Sequence, residues 1–108
     1  QVEHIDAVSN LEEIFSVEGV DGYIIGPYDV SGSLDVPGQF DHPDFLAAMD
    51  RVRVVAKKMN MTGGIHVIEP DPEQLKQRIN EGYGFIAYSL DIRMLDVASR
   101  KGLEYIRK

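Results

Sequence analysis

Two carboxylates, Glu3 and Asp29, are the side chains of this sequence whose type and position best fit a metal site. Glu3 lies inside the first short apolar segment, and Asp29 follows the second one, in the Gly-Pro-Tyr-Asp sequence of residues 26–29. Two carboxylates from neighbouring strands suit Mg²⁺, Mn²⁺ or Co²⁺, with waters and substrate oxygens in the remaining octahedral positions. The simpler alternatives are a structural ion pair for Glu3 and a turn-forming role for Asp29.

The elements that would position these carboxylates are short β-rich segments that alternate with helical patterns, which is typical of parallel βα units. The predicted strands are residues 1–5, 20–25, 61–67 and 84–88. The predicted helices are a short one that starts at Asn10 and longer ones over residues 43–59, 72–82 and 92–106. Residues 26–39 are rich in Gly, Pro and Ser, and we expect them to form a long active-site loop.

Helix caps and buried faces follow from the same patterns. Asn10 and Glu13 have the spacing of a capping box, and Asp41 and Asp71 are the expected caps of the second and third helices. Apolar residues recurring at helical spacing predict which side chains face the core. These are Phe45, Met49, Val52, Ala56 and Met59 in the second helix, Leu75 and Ile79 in the third, and Leu95, Ala98, Tyr105 and Ile106 in the last.

The four βα units predict an α/β fold that is the C-terminal half of a (β/α)8 TIM barrel, a fold of about 250 residues when complete. Residues 1–108 would then be a single partial barrel domain. A parallel sheet covered on one face only leaves its other face and its edges exposed. The chain is therefore a part of a longer protein, one of two copies that close a barrel together, or a small doubly wound sheet. The missing initiator Met favours truncation.

Composition excludes several classes of function. The 108 residues are 44% hydrophobic with no long apolar run, so we expect neither a disordered nor a membrane-spanning chain. The formal charge is −7 and the Lys and Arg residues are scattered, which argues against nucleic acid and membranes as partners. The sequence has no Cys and no recognisable signal segment, so a cytoplasmic location is expected.

In a barrel the chemistry gathers at the carboxyl ends of the strands. That position is taken by Gln1, Glu3, His4, Gly26, Pro27, Tyr28, Asp29, Ser31, His66, Glu69, Ser89 and Asp91. The stretch QVEHIDAVSNLEEIFSVEGVDGYIIGPYDVSGSLDVPGQFDHP closely resembles the HpcH/HpaI aldolases, metal-dependent enzymes that act through a pyruvate enolate. The most specific motifs are Gln-x-Glu at residues 1–3, Gly-Val-Asp-Gly at 19–22 and Gly-Pro-Tyr-Asp-Val-Ser at 26–31, and the resemblance extends over the whole chain.

The resemblance implies a TIM barrel of the phosphoenolpyruvate/pyruvate-domain type and a role for each matching residue. Glu3 and Asp29 match the ligands of a divalent metal ion. Gln1 matches the side chain that hydrogen-bonds pyruvate, the Tyr28-Asp29 backbone matches the segment that holds its carboxylate, and His66 lies at the rim of the substrate pocket. The implied reaction releases pyruvate from, or adds it to, a 4-hydroxy-2-oxo or 2-oxo-3-deoxy acid, with an aldehyde as the second reactant.

The resemblance also implies that this chain is catalytically incomplete by itself. In the family the base His and the Arg that stabilises the transition state come from earlier strands, and His4, His42 and His66 do not match that base. Family members often exchange their last helix between subunits, so we expect a homo-oligomer. Two alternatives remain: a non-catalytic half-barrel that binds a metal or a 2-oxo acid, and a thioester lyase like the citrate lyase β-subunit. The second alternative needs a coenzyme A site, for which the sequence offers no Arg or Lys cluster.

Overall fold

The computed structural model describes residues 1–107 and contains one parallel sheet of three strands. The strands are β1 (Gly22–Ile25), β2 (Thr62–Val67) and β3 (Phe85–Tyr88), and they pair in chain order. The helices are α1 (Ile5–Ser9), α2 (Leu11–Phe15), α3 (Pro27–Ser33), α4 (Pro43–Met59), α5 (Pro72–Asn80) and α6 (Asp91–Ile106). The predicted α/β alternation is thus confirmed. Among residues 1–107 no helix has the length and apolar character needed to cross a membrane.

The prediction of a first strand over residues 1–5 is wrong except at one residue. Val2 forms a single parallel bridge with the last residue of β1. The chain then turns into α1, because the His4 side chain accepts a hydrogen bond from the Asp6 N–H and caps that helix. The bridge nevertheless places Glu3 beside the carboxyl end of β1.

The region around α1 to α3 departs from the prediction in two further ways. The side chain of Asn10 donates to the Asp6 carbonyl at 2.8 Å, so the predicted capping box with Glu13 is wrong. The predicted loop over residues 26–39 contains α3. Pro27 starts this helix, since its fixed φ and missing N–H suit the first helical position.

α4 occupies its predicted range, and α5 starts as predicted but ends at Asn80, two residues before its predicted end. α4 runs over residues 43–59, although His42 and not Asp41 caps it by accepting a hydrogen bond from the Asp44 N–H. Asp71 caps α5 as predicted, and its carboxylate accepts a hydrogen bond from the Glu73 N–H at 2.9 Å. Both helices carry Pro in the first turn, which marks their start in the sequence.

The hydrophobic core is built by residues between Val2 and Val67. Its buried members are Val2, Val8, Leu11, Phe15, Ile25, Val30, Phe45, Ala48, Val52, Val55, Ala56, Ile65 and Val67. α4 contributes five of them and packs against α1 and α2. Of its predicted inner face, Phe45, Val52 and Ala56 are buried, whereas Met49 and Met59 are half-buried at the edge of the core.

The later elements are much more exposed than predicted. Leu75 of α5 is half-buried and Ile79 is exposed. No residue of α6, all of which the structure describes, is buried, so its predicted inner face is wrong. Leu95, Tyr105 and Ile106 are 69%, 83% and 75% exposed, and Ala98 is also exposed. The described chain is elongated, with a radius of gyration of 16.0 Å, whereas a compact domain of this size has about 13 Å.

Ion pairs connect α6 to the loop that follows β2. The Arg93 guanidinium donates to both carboxylate oxygens of Glu69, at 2.7 to 3.1 Å, and to Asp96 at 2.7 Å. Arg100 donates to the other oxygen of Asp96. The hydrogen bonds from Arg93 to Glu69, supported by both negative charges, raise the pKa of Arg93. The start of α6 is therefore attached through polar contacts and not through burial.

Candidate functional site

Glu3 is positioned by the backbone of its neighbour Val2. The Val2 N–H donates to the Ile24 carbonyl at 2.8 Å, and the Gly26 N–H donates to the Val2 carbonyl at 3.0 Å. These two bonds follow the parallel ladder and fix the direction of the chain beside β1. Glu3 therefore extends from the carboxyl end of the sheet, where the side chain is exposed.

Asp29 is positioned by the short helix that begins directly after β1. Gly26 is the N-cap residue of α3, and its carbonyl accepts a hydrogen bond from the Val30 N–H at 3.0 Å. Asp29 lies in the first turn, where a carboxylate is favoured by the partial positive charge of the helix N-terminus. Glu3 and Asp29 thus reach the same edge of the sheet from two different segments.

The two carboxylates converge over Gly26, which is itself buried. A Cβ added at Gly26 would lie 2.8 Å from Asp29 Oδ2, 3.2 Å from Glu3 Cγ and 3.4 Å from Glu3 Oε1. Both side chains therefore surround one point that a larger residue would fill. The structure brings together the two residues that the sequence proposed as a pair.

The donor chemistry of this pair fits a hard divalent cation. Two carboxylates with open surroundings suit Mg²⁺ or Mn²⁺, which retain several waters or take substrate oxygens in an octahedral shell. Within residues 1–107 no group of three or more His, Asp or Glu side chains is arranged to hold a metal ion. A cation held by Glu3 and Asp29 would take its remaining ligands from outside this pair.

Tyr28 is fixed by its backbone and by its ring. Its carbonyl accepts a hydrogen bond from Ser31 Oγ at 2.9 Å, and the same Oγ accepts one from the Gly38 N–H at 3.0 Å. The Tyr28 ring packs edge-on against Phe40, with centroids 4.9 Å apart. Gly38 has φ +73°, and a Cβ there would lie 3.5 Å from the Tyr28 ring. The segment next to Asp29 is therefore held by the turn that follows α3.

His66 lies near the carboxyl end of β2 and is half-buried. Its Nε2 is 3.1 Å from the Ser89 carbonyl oxygen. Because a carbonyl oxygen can only accept, Nε2 is the donor of this hydrogen bond. Ser89 has φ +61° and a buried hydroxyl without a hydrogen-bond partner in the described part of the chain. His66 and Tyr28 line one cavity of about 440 Å³ together with Phe45 and other residues.

Gln1 lies apart from that cavity. It lines a shallow groove with Gly22, Ile24 and Phe85. The candidate residues thus form a carboxylate pair, an aromatic cavity beside it that contains Tyr28 and His66, and a separate position for Gln1.

The position of Gly26 at the strand end is predictable from the sequence, but its particular role is not. The pattern Gly-Pro marks the end of a strand and the start of a helix, and this explains the backbone. The need for a missing side chain at Gly26 appears only once Glu3 and Asp29 are placed in space. A glycine between two strand-end carboxylates is the signal that would have suggested it.

Comparison with known proteins adds independent information. Residues 1–97 match the family described as HpcH/HpaI aldolase/citrate lyase. A hydroxypyruvate/pyruvate aldolase of Sagittula stellata is 40% identical over 99 residues, which are 92% of this chain and 38% of that protein. A 4-hydroxy-2-oxo-heptane-1,7-dioate aldolase of Escherichia coli is 36% identical over 96 residues, which are 88% of this chain and 36% of that protein.

The fold has solved counterparts. The crystal structure of a HpcH/HpaI aldolase/citrate lyase family protein from Burkholderia cenocepacia is similar over 100% of this chain and 41% of that one, with a TM-score of 0.90 and 34% identity. This chain therefore spans well under half of the length of the proteins that it matches.

Proposed function

Because the chain belongs to the HpcH/HpaI aldolase/citrate lyase family, we propose that it is part of a metal-dependent pyruvate aldolase. The proposed reaction releases or adds pyruvate on a 4-hydroxy-2-oxo or 2-oxo-3-deoxy acid, with an aldehyde as the other reactant. The observation that carries the proposal is the convergence of Glu3 and Asp29 over Gly26. Relatives named as pyruvate aldolases support the same reaction class.

In this proposal the chain is the C-terminal half of a (β/α)8 barrel. Three parallel strands and the bridge at Val2 correspond to four neighbouring positions of such a sheet. The similarity to 41% of a solved family structure supports a partial barrel. The catalytic groups would then lie at the carboxyl ends of the strands, where Glu3 and Asp29 are found.

Glu3 and Asp29 would hold the divalent cation, Mg²⁺, Mn²⁺ or Co²⁺. When bound, the cation would act as a Lewis acid and stabilise the negative charge of the enolate. The Tyr28-Asp29 backbone, fixed by Ser31, would hold the carboxylate of the 2-oxo acid. His66 would contact the same substrate from the cavity that it shares with Tyr28. Gln1 lines a separate groove, so its proposed hydrogen bond to the substrate would have to be made from its position two residues before Glu3.

We place the base His and the catalytic Arg outside these 108 residues. His4 and His42 accept hydrogen bonds from backbone N–H groups as helix caps, and His66 is bonded to the Ser89 carbonyl. Arg93 is committed to Glu69 and Asp96. These contacts give His4, His42 and Arg93 structural roles and orient His66 through its Nε2, which supports a chain that carries the metal site without the base.

We further propose a homo-oligomer in which α6 is exchanged with a second copy of the protein. α6 buries no residue on its own chain, although Ile92, Leu95 and Ile106 are large apolar side chains at least 69% exposed. A helix face with several large, exposed apolar side chains is expected to be covered by protein. A second copy, offering the same helix in return, would cover it symmetrically.

The test is oxaloacetate decarboxylation, which requires the pyruvate enolate but no aldehyde. In the complete protein that contains this chain, activity should depend on added Mn²⁺, and Glu3→Gln or Asp29→Asn should lower it by about 100-fold or more. Glu13→Gln, a matched change of an exposed carboxylate on α2, should leave the activity within about twofold. Full activity in Glu3→Gln would refute the assignment of the metal site.

A further inference from the structure

The two segments that carry the carboxylates are joined at both ends by hydrogen bonds. At one end the Gly26 N–H donates to the Val2 carbonyl at 3.0 Å. At the other end the Ile5 N–H donates to Ser33 Oγ at 2.9 Å. The first carboxylate lies between Val2 and Ile5, and the second lies between Gly26 and Ser33. The pair is thus enclosed by one backbone bond and one side-chain bond.

The Ser33 hydroxyl is well suited to hold its end of this arrangement. Its oxygen accepts from Ile5 and its hydrogen is donated to the Val30 carbonyl at 2.7 Å, so the hydroxyl is oriented from both sides. Ser33 is the last residue of α3 and is half-buried. Asp29 lies one helical turn before it on the same helix. The Ser33 bond therefore connects the body of α3 directly to the start of α1.

We infer that Ser33 is a positioning residue that sets the separation of the Glu3 and Asp29 oxygens, an inference that rests on the proposed metal site. Without this hydroxyl the segment that carries Glu3 remains bonded to the sheet at Val2 but loses its direct bond to α3 at Ile5. Ligands that must be brought back to one geometry bind a cation less tightly, as outer-shell partners of metal ligands show. Ser33 itself touches neither the cation nor the substrate.

The substitutions separate positioning from folding. Ser33→Ala removes the hydroxyl and keeps a good helix former, whereas Ser33→Thr keeps an oxygen that can bond the carbonyl of the preceding turn. Ile5→Pro removes the donor N–H from the other side. Proline suits Ile5 because it is the first residue of α1 and follows a residue in the extended conformation. Ser16→Ala is the matched control, since the Ser16 hydroxyl is exposed and bonds only the Glu12 carbonyl.

The measurement is Mn²⁺ affinity, determined with Mn²⁺ alone by electron paramagnetic resonance of the free ion in the complete protein. Ser33→Ala should weaken binding by about tenfold, and Ile5→Pro should do the same. Ser33→Thr and Ser16→Ala should stay within about twofold of the unchanged protein. Urea midpoints recorded in parallel identify the variants that remain folded. If Ser33→Ala does not remain folded, Ile5→Pro provides the test.

The outcomes distinguish this inference from the proposed function. If Glu3→Gln abolishes Mn²⁺ binding while Ser33→Ala and Ile5→Pro bind as the unchanged protein does, Ser33 has no positioning role and the metal site stands. If Ser33→Thr binds as weakly as Ser33→Ala, the hydroxyl is not the responsible group and the inference is wrong. If the unchanged protein binds no Mn²⁺, the metal site and the role of Ser33 are overturned together.

Discussion

Helices α4 and α6 are similar in length, 17 and 16 residues, yet they meet different surroundings. α4 buries five side chains, among them Val52 at 1% exposure, whereas α6 buries none and leaves Leu95 69% exposed. Both helices combine apolar and charged residues in the pattern of a surface helix. Such a pattern shows that one face is to be covered. It does not show whether the cover comes from the same chain or from another one.

The two helices also differ in what attaches them. α4 packs on α1 and α2 through apolar contacts, which are lost only when the core opens. α6 is attached through the ion pair of Arg93 with Glu69 of the loop after β2, and both side chains are partly exposed. Ion pairs exposed to water contribute little to stability. The fully buried apolar side chains of this chain therefore lie between Val2 and Val67, and α6 contributes none of them.

The largest difference between the helices is expected in the free energy of unfolding. Val52→Ala removes buried methyl groups from α4 and should destabilise the protein by about 2 kcal/mol. Val54→Ala, in the same helix but 51% exposed, should change stability by less than about 0.5 kcal/mol. Urea unfolding of both variants measures this contrast. Equal losses of stability in Val52→Ala and Val54→Ala would mean that Val52 is not part of the buried core.

On α6 the expected effect is on assembly. Leu95→Ala should weaken self-association by about tenfold, because a large apolar side chain then no longer packs on the second copy. Leu46→Ala is the control, since Leu46 is 54% exposed on α4. Sedimentation of the complete protein over a range of concentrations reports the change. The proposed exchange is wrong if Leu95→Ala lowers the urea midpoint as much as Val52→Ala does while sedimentation shows the same assembly mass as for the unchanged protein.

The parts of the fold that were predictable carry their own local signals. The predicted range of α4 is correct because Pro43 marks its start and Asn60, the C-cap residue with a φ of +54°, marks its end. The start of α5 is correct because Asp71 caps it and Pro72 lies in its first turn. By contrast α3 was missed, since its Gly and Ser residues are typical of a loop and only packing holds them in a helix. Tertiary contacts there outweigh propensity.

The candidate site was predictable in its residues and not in its support. Glu3 and Asp29 follow from strand ends in a parallel fold. The single bridge at Val2 was misread as a full strand, because an apolar segment does not reveal that His4 will cap a helix directly after it. The hydrogen bond from Ile5 to Ser33 joins residues 28 positions apart, and no local sequence pattern predicts such a contact. Long-range support of a site has to be read from the structure.

The smallest expected effect concerns Tyr83, which follows α5 and lines a groove with residues of α4, and it tests how well the Tyr83 side chain is buried. Burial, helped by Tyr23 and Glu81, raises the pKa of Tyr83 from 10.0 to about 12. The folded state therefore keeps the phenol proton to a higher pH than the unfolded state does. The resulting stability is fully present below pH 10 and is lost as the pH rises towards about 12.

Tyr83→Phe removes this titration, so its free energy of unfolding should fall less than that of the unchanged protein between pH 10 and 12. Urea unfolding at several values of pH in that window measures the difference, and the absorbance of phenolate follows the ionisation directly. Leu46→Ala, which alters the same groove without removing a titrating group, should keep the slope of the unchanged protein. Parallel pH curves for Tyr83→Phe and the unchanged protein would show that the Tyr83 phenol is not buried and reaches water.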